Sequence, residues 1–206
     1  MKIERLVLGT SNPGKLSEWS KILQEEGFRG EIVGVSGFGD IEDPDETGET
    51  FDENARHKAT YYAKLIGEYI LSEDGGYEVD VLDGAPGVHS KRVLPGGKEG
   101  TDEQLIEYVL EKVKGLPADK RGVSLTVAAA VSDPEGNIVY EDKEEFRGLI
   151  SNQRGSRLIP GYPFRTIHYL PDIGKTYADL TPEEHKKYSH KRKIAKRLVK
   201  FLLEYI

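Results

Sequence analysis

The period of apolar and polar positions changes several times along the chain, and each change marks an element. Ile3, Leu6, Val7 and Leu8 form a short apolar run ending at Gly9, the pattern of a buried strand over 3–8. Leu16, Trp19, Ile22 and Leu23 recur at helical spacing and predict a helix over 15–26, followed by a strand at 31–35 and a loop through 49. Thr50 with Glu53 three residues on is a capping-box pattern, and the apolar positions Ala63, Leu65, Ile66, Tyr69, Ile70 and Leu71 carry the predicted helix to 71. Val79, Val81 and Leu82, set among polar residues, predict a strand over Glu78–Leu82, closed by a Gly-Ala-Pro-Gly turn. A helix over 101–115 opens at Thr101 and carries the stripe Leu105, Ile106, Val109, Leu110 and Val113. Arg121–Ser132 and Asn137–Phe146 read as a hairpin about Asp133-Pro134-Glu135-Gly136, with Phe146 to Ile150 continuing its second strand. A loop-rich stretch from 151 to 172 precedes a single terminal helix from about Thr181 to Tyr205.

This mixture predicts an α/β or α+β fold with a mixed sheet. At 206 residues, the chain can form one core or two lobes sharing a sheet, and it shows no internal repeat or low-complexity linker. Charged residues are 32% of the chain and the net charge is −7. That balance argues against a nucleic-acid partner, whose binders carry a basic face. No cysteine is present, which excludes disulfides and thiolate metal sites. No signal peptide or membrane-length apolar run is read, so no membrane partner is expected and the cytoplasm is the expected compartment.

The candidate chemistry concentrates between Asp45 and Arg92. Asp45, Glu46, Glu49, Asp52 and Glu53 come first, then Glu73, Asp74, Glu78 and Asp80, with Lys58, Lys64 and Lys91 between and after them. Hard carboxylate oxygens are what Mg²⁺ or Mn²⁺ takes, and Mg²⁺ is usually held by one or two carboxylates plus substrate phosphates. Acids for a metal and lysines for an anion suggest phosphate chemistry; a solvated acidic face is the bland alternative. At the N-terminus, Gly9-Thr10-Ser11-Asn12-Pro13-Gly14-Lys15 joins a strand to a helix. Such a loop offers backbone N–H groups, hydroxyls and a positive helix end to an anion, and equally suits an ordinary capped turn. It lacks the Walker A spacing.

Taken together, these segments resemble the inosine triphosphate pyrophosphatase (XTP/dITP diphosphatase) family. Thr10 to Lys15 is similar to that family's T-G-N-x-x-K loop. Glu46-Thr47-Gly48, Thr50-Phe51, Glu53-Asn54-Ala55 and Lys58-Ala59 are similar to its E-T-G-x-T-F-x-E-N-A-x-x-K-A helix. Glu73 to Leu82, then Gly84-Ala85-Pro86-Gly87 and Ser90, match its D-D-S-G-L-x-V-D-A-L-x-G-x-P-G-x-x-S, and Gly174 to Leu180, Glu183-Glu184 and Ser189-His190 match its C-terminal segment. The resemblance implies an elongated mixed β-sheet flanked by helices, a single domain of two lobes over 1–206 with a central cleft, and a homodimer. It implies hydrolysis of a nucleoside triphosphate, a purine such as ITP or XTP, to the monophosphate and pyrophosphate. Asp74 becomes the metal ligand and water activator. Glu73 assists it, and Asp45, Glu46 and Glu73 are further metal candidates. Thr10, Ser11, Asn12, Lys15, Lys58, Gly75 and Lys91 become substrate contacts, and Gly75 stands where the family has a hydroxyl residue.

The base-recognition segment departs from the family. Its G-F-G-[YW]-D-P reads Gly161-Tyr162-Pro163-Phe164-Arg165-Thr166 here, so an acid becomes Arg165 and a glycine becomes Pro163. The lysine after the Glu-Glu pair falls on His185, and S-H-R reads Ser189-His190-Lys191. Arg has donors only, which changes the base edge that Tyr162, Phe164, Arg165, His185, His190 and Lys191 would read. Two alternatives stay open: the same reaction on a different or modified nucleotide, and a nucleotide-binding protein with little turnover. His89 and His168 read as surface or packing residues.

Overall fold

The computed structural model describes residues 3–94 and 96–205. Its strands are β1 (Arg5–Leu8), β2 (Glu31–Gly34), β3 (Ile70–Val79), β4 (Pro86–Gly87), β5 (Gly122–Ser132), β6 (Ile138–Ile150), β7 (His168–Leu170) and β8 (Lys175–Thr176). Its helices are α1 (Pro13–Glu25), α2 (Phe51–Ile66), α3 (Asp102–Lys112), α4 (Pro182–Tyr188) and α5 (His190–Tyr205). Hydrogen bonding orders the strands β2-β1-β3-β5-β6-β7-β8, with β4 paired to β3. β1 runs parallel to β2 and β3, whereas β4, β7 and β8 join antiparallel. The fold is therefore α/β with a mixed sheet, as the pattern predicts.

Local chemistry explains the boundaries. The Asn12 side chain accepts from the N–H groups of Gly14 and Lys15, and Pro13 takes the first helical position, so α1 begins two residues earlier than its apolar stripe suggests. Thr50 and Glu53 close a capping box on α2, and Thr101 and Gln104 close one on α3. Extending α2 to 71 overruns its end. Gly67 adopts φ 72° and its N–H bonds the Ala63 carbonyl, which terminates the helix. Ile70 and Leu71 instead open β3, paired with Val7 and Leu8. The strand expected at Glu78–Leu82 is accordingly the end of β3 plus a 3₁₀ turn at Asp80–Leu82. The loop-rich stretch contains a 3₁₀ turn at Pro163–Thr166 and β7, and the single terminal helix is two, separated at buried Ser189.

The chain divides into two compact units. The first comprises residues 1–74, 127–144 and 189–206. Its larger core joins Leu6, Leu8 and Leu71 to Trp19, Ile22 and Leu23 of α1 and Ile194, Leu198 and Leu202 of α5. Its smaller core joins Val7 and Ile70 to Tyr62 and Ala63 of α2. Odd and even positions of β3 thus face different helices, as the two-residue period of a strand requires. The second unit comprises residues 75–126 and 145–188. Its core packs Leu105, Ile106 and Val109 of α3 against Tyr77, Val79, Val123, Phe164 and Ile167. Among the described residues, no helix is long and apolar enough to cross a membrane.

Candidate active site

The acidic pair Glu73-Asp74 lies on β3, both side chains buried. Strand alternation sends them to opposite faces. Asp74 follows Ile70 and Ser72 toward α2, where Asn54 Nδ2 donates to Oδ2 at 2.9 Å and Lys58 Nζ lies 3.3 Å from Oδ1. Asn54 and Lys58 are four residues apart on one helical face, so both reach the same carboxylate. Asn54 Oδ1 also accepts the Gly48 N–H at 2.8 Å, which ties the preceding loop to α2. A Cβ at Gly48 would stand 2.6 Å from that oxygen, so the close approach requires glycine. Lys58 Nζ donates onward to Glu46 Oε1 at 2.7 Å, so Glu46 and Asp74 converge on one ammonium.

Glu73 faces α1 and α5. Trp19 Nε1 donates to Oε2 at 2.6 Å, Lys191 Nζ donates to Oε1 at 2.9 Å, and Lys15 Nζ lies 3.3 Å from Oε1. The two acids differ electrostatically as a result. Burial pushes the Asp74 carboxyl up, and Lys58 only partly offsets it, so its proton affinity is raised. Burial also acts against ionised Glu73, but Lys191 and Lys15 outweigh it and hold the carboxyl at about 2.

The remaining expected residues fall in several places. Thr10 Oγ1 accepts the Asn12 N–H at 3.1 Å, and exposed Ser11 donates to Asp43. Asp45 is exposed in the loop before α2. Among the described residues, no three His, Asp or Glu side chains group closely enough to hold a metal ion by themselves. Gly75 and Lys91 are exposed in the second unit. His190 and Lys191 belong to the first unit, where Lys191 also donates to Glu18 at 2.9 Å.

Tyr162, Phe164, Arg165 and His185 belong to the second unit. The Arg165 guanidinium is buried, 3.8 Å above the Tyr162 ring and 5.3 Å from the Tyr177 ring. Phe164 stacks on Tyr77 at 4.6 Å, and His185 meets Tyr177 edge-on at 5.2 Å. His168 is fully buried among Tyr77, Phe146 and Tyr177, and His89 is exposed, both as read from the sequence.

Sequence reasoning missed Asn54, Trp19 and Glu18 as parts of the site. Asn54 belongs to the Glu53-Asn54-Ala55 motif, and its signal is the four-residue spacing to Lys58. Trp19 has the same spacing to Lys15, but it reads as one more core position of α1.

Comparison with known proteins matches residues 6–201 to a family model described as "Ham1 family". A dITP/XTP pyrophosphatase of Bacillus subtilis is 34% identical over 201 residues, covering 97% of this chain and 98% of that protein. A dITP/XTP pyrophosphatase of Halalkalibacterium halodurans is 35% identical over 198 residues, covering 95% and 97%. The structure of a HAM1 protein from Coxiella burnetii superposes with a TM-score of 0.84 at 30% identity, covering 99% of this chain and 100% of that one.

Proposed function

The chain belongs to the Ham1 family, and from that premise we propose that it hydrolyses nucleoside triphosphates of the dITP and XTP class to the monophosphate and pyrophosphate, with a divalent metal. The observation that carries this reading is Asp74: a buried carboxylate oriented by Asn54 and Lys58, with its proton affinity raised. A general base works best when its affinity for the proton moves toward the working pH.

In the proposed step, a water oxygen forms a bond to the α-phosphorus and Asp74 accepts its proton. The bond from the α-phosphorus to the α–β bridging oxygen breaks, and pyrophosphate leaves with the electron pair. Lys15 and Lys58 hold the polyphosphate as point charges. Thr10, Ser11 and Asn12, in the loop before α1, are the polar side chains assigned to the anion, while the N–H groups of Gly14 and Lys15 stay with Asn12 Oδ1. Glu46 and Asp74, converging on one ammonium, fit the one or two carboxylates that magnesium takes besides substrate phosphates. Such an ion, when bound, neutralises the charge that builds on the leaving group. Manganese accepts the same oxygen donors. Glu73 already accepts from Trp19 and Lys191, which supports a role for it outside that donor set.

Arg165, His185 and Tyr162 are the residues we assign to the base. Arg165 would donate to acceptors such as O6 and N7, which hypoxanthine, xanthine and guanine all present. Since those three bases share the acceptors, the reading includes a purine site with a relaxed preference. Phe164, beside Arg165 in the same 3₁₀ turn, is stacked on Tyr77. The reading includes a homodimer acting on the cytoplasmic nucleotide pool, checked by sedimentation equilibrium and fractionation. The reaction is tested with a panel of ITP, XTP, dITP, GTP and ATP plus Mg²⁺, assaying pyrophosphate and orthophosphate separately. Pyrophosphate is the expected product; orthophosphate as the primary product would overturn the reading.

A further inference from the structure

The resemblance places Lys191 at a base-reading position; its ammonium is held between two carboxylates. Lys191 is 4% exposed, and its Nζ sits between Glu73 Oε1 and Glu18 Oε2, 2.9 Å from each. The other Glu73 oxygen accepts from Trp19 Nε1 at 2.6 Å, and Lys15 Nζ stands 3.3 Å from the first. Two ammonium groups and two carboxylates therefore form one neutral set built on α1, β3 and α5, with Glu73 and Lys191 buried and Glu18 and Lys15 half-buried. Lys15 is its most exposed cation, at 19% for the side chain against 5% for Lys191.

We propose that Lys191 is a positioning residue for the polyphosphate. By neutralising Glu73 from the buried side, it leaves the Lys15 charge available to an incoming anion. The proposal takes the identity of that anion from the proposed reaction. Without Lys191, the set changes from neutral to a net charge of −1. Lys15 then becomes the sole ammonium beside Glu73, and its field at the phosphates is cancelled. A polyphosphate meets both effects whatever base it carries. A residue that read the base would do the opposite: its loss would alter the ratio between bases and leave a baseless anion unaffected.

Trp19 is the only tryptophan of the chain and donates directly to Glu73. Its fluorescence therefore senses a change at Glu73 without interference from another tryptophan. The experiment compares the parent with Lys191→Met and Lys191→Arg. It uses calorimetric binding of inorganic tripolyphosphate with Mg²⁺, steady-state kinetics with ITP and GTP, and Trp19 emission. For Lys191→Met, tripolyphosphate affinity should fall roughly ten-fold, in line with the loss of one charge-assisted contact. KM should rise by a similar factor for both nucleotides, with little change in kcat or in the ITP-to-GTP ratio. Trp19 emission should shift before any ligand is added, and Lys191→Arg should restore most of the affinity.

Removing one partner of a buried ion pair destabilises a fold far more than removing both. If Lys191→Met does not fold by circular dichroism, Lys191→Gln, whose amide can still donate to both carboxylates, takes its place with the same loss of tripolyphosphate binding expected, and adding E73Q to it should restore the affinity, because the carboxylate that captures Lys15 is then gone. Parental tripolyphosphate affinity in folded Lys191→Met or Lys191→Gln, a changed ITP-to-GTP ratio in that variant, or no recovery on adding E73Q overturns the proposal. A parent that releases orthophosphate from ITP but binds tripolyphosphate through Lys191 would sink the proposed reaction and leave this role standing.

Discussion

The two units handle buried polarity in opposite ways. In the first, Glu73, Asp74, Lys58 and Lys191 lie within 3.3 Å of opposite charges. In the second, polarity is buried in rings: the Tyr77 hydroxyl and both His168 nitrogens have no hydrogen-bond partner among the described residues. His168 avoids the cost of a buried charge by staying neutral, with burial and the nearby Arg147 charge pushing its imidazole down to about 3. The first unit is thus built to respond to an arriving anion or cation. The second sets its buried charge, the Arg165 guanidinium, over the Tyr162 ring, and keeps His168 neutral among rings.

The sharpest break in this contrast is Asp74→Asn. It keeps the Asn54 contact and the strand, yet removes the proton acceptor, so kcat should fall by a factor on the order of 10² or more. Stopped-flow or steady-state assays on a variant with parental circular dichroism check it; near-parental turnover would remove Asp74 from its role. Next come Lys58→Ala and Lys15→Ala, each expected to weaken binding of any nucleoside triphosphate by about 1.5–3 kcal/mol. Calorimetry with ITP and GTP should give equal losses, and a loss confined to one base would move these lysines to the other end of the substrate.

The second unit supplies the smaller effects. With a folded-state value near 3 against 6.5 unfolded, His168 is neutral in both states above pH 6.5, and its contribution to stability is fully present there. As pH falls below 6.5, the unfolded chain takes up a proton that the folded chain refuses, and stability declines until the pH reaches about 3. Glu73, lowered to about 2, adds to this decline only below its ordinary value of 4.5. Arg147 is the charged group acting on His168, and Tyr77, Phe146 and Tyr177 are the rings packed around it. Urea unfolding of parent and His168→Phe between pH 6.5 and 4.5 should show the parent's slope, at most about 1.4 kcal/mol per pH unit for one proton, flattened in the variant. Smallest of all, Arg165→Asp should raise the ITP-to-GTP ratio of kcat/KM several-fold, since one base-edge contact is worth about 1–3 kcal/mol. Strong ITP selectivity in the parent, unchanged by the substitution, would return the site to the family's ordinary preference.

Much of the fold was legible because its signals are local. The caps at Thr50 and Thr101, the hairpin turn at Asp133–Gly136 and the stripes on α1 and α3 each depend on residues within one or two turns. The errors fall where local and tertiary preferences compete. Ile70 and Leu71 continue an apolar run that suits a helix, but the left-handed Gly67 and pairing with β1 make them a strand. His168–Leu170 is too short to show a period, and it becomes β7 only by pairing with β6 and β8. There Gly148 makes room for the imidazole: a Cβ would stand 2.6 Å from His168 Nε2.

The sequence by itself determined the helix faces, the acid pair, the lysines at Lys15 and Lys58, and the family. Each of these is a matter of residue type and spacing. Tertiary structure alone decided which partners each acid receives. Adjacent residues of a strand must point to opposite faces, but which helix covers each face depends on where the chain crosses over. Here α2 covers the Asp74 face while α1 and α5 cover the Glu73 face. That arrangement gives one carboxylate an amide and a shared ammonium, and the other an indole and two ammonium groups. Two neighbouring acids thereby acquire opposite proton affinities.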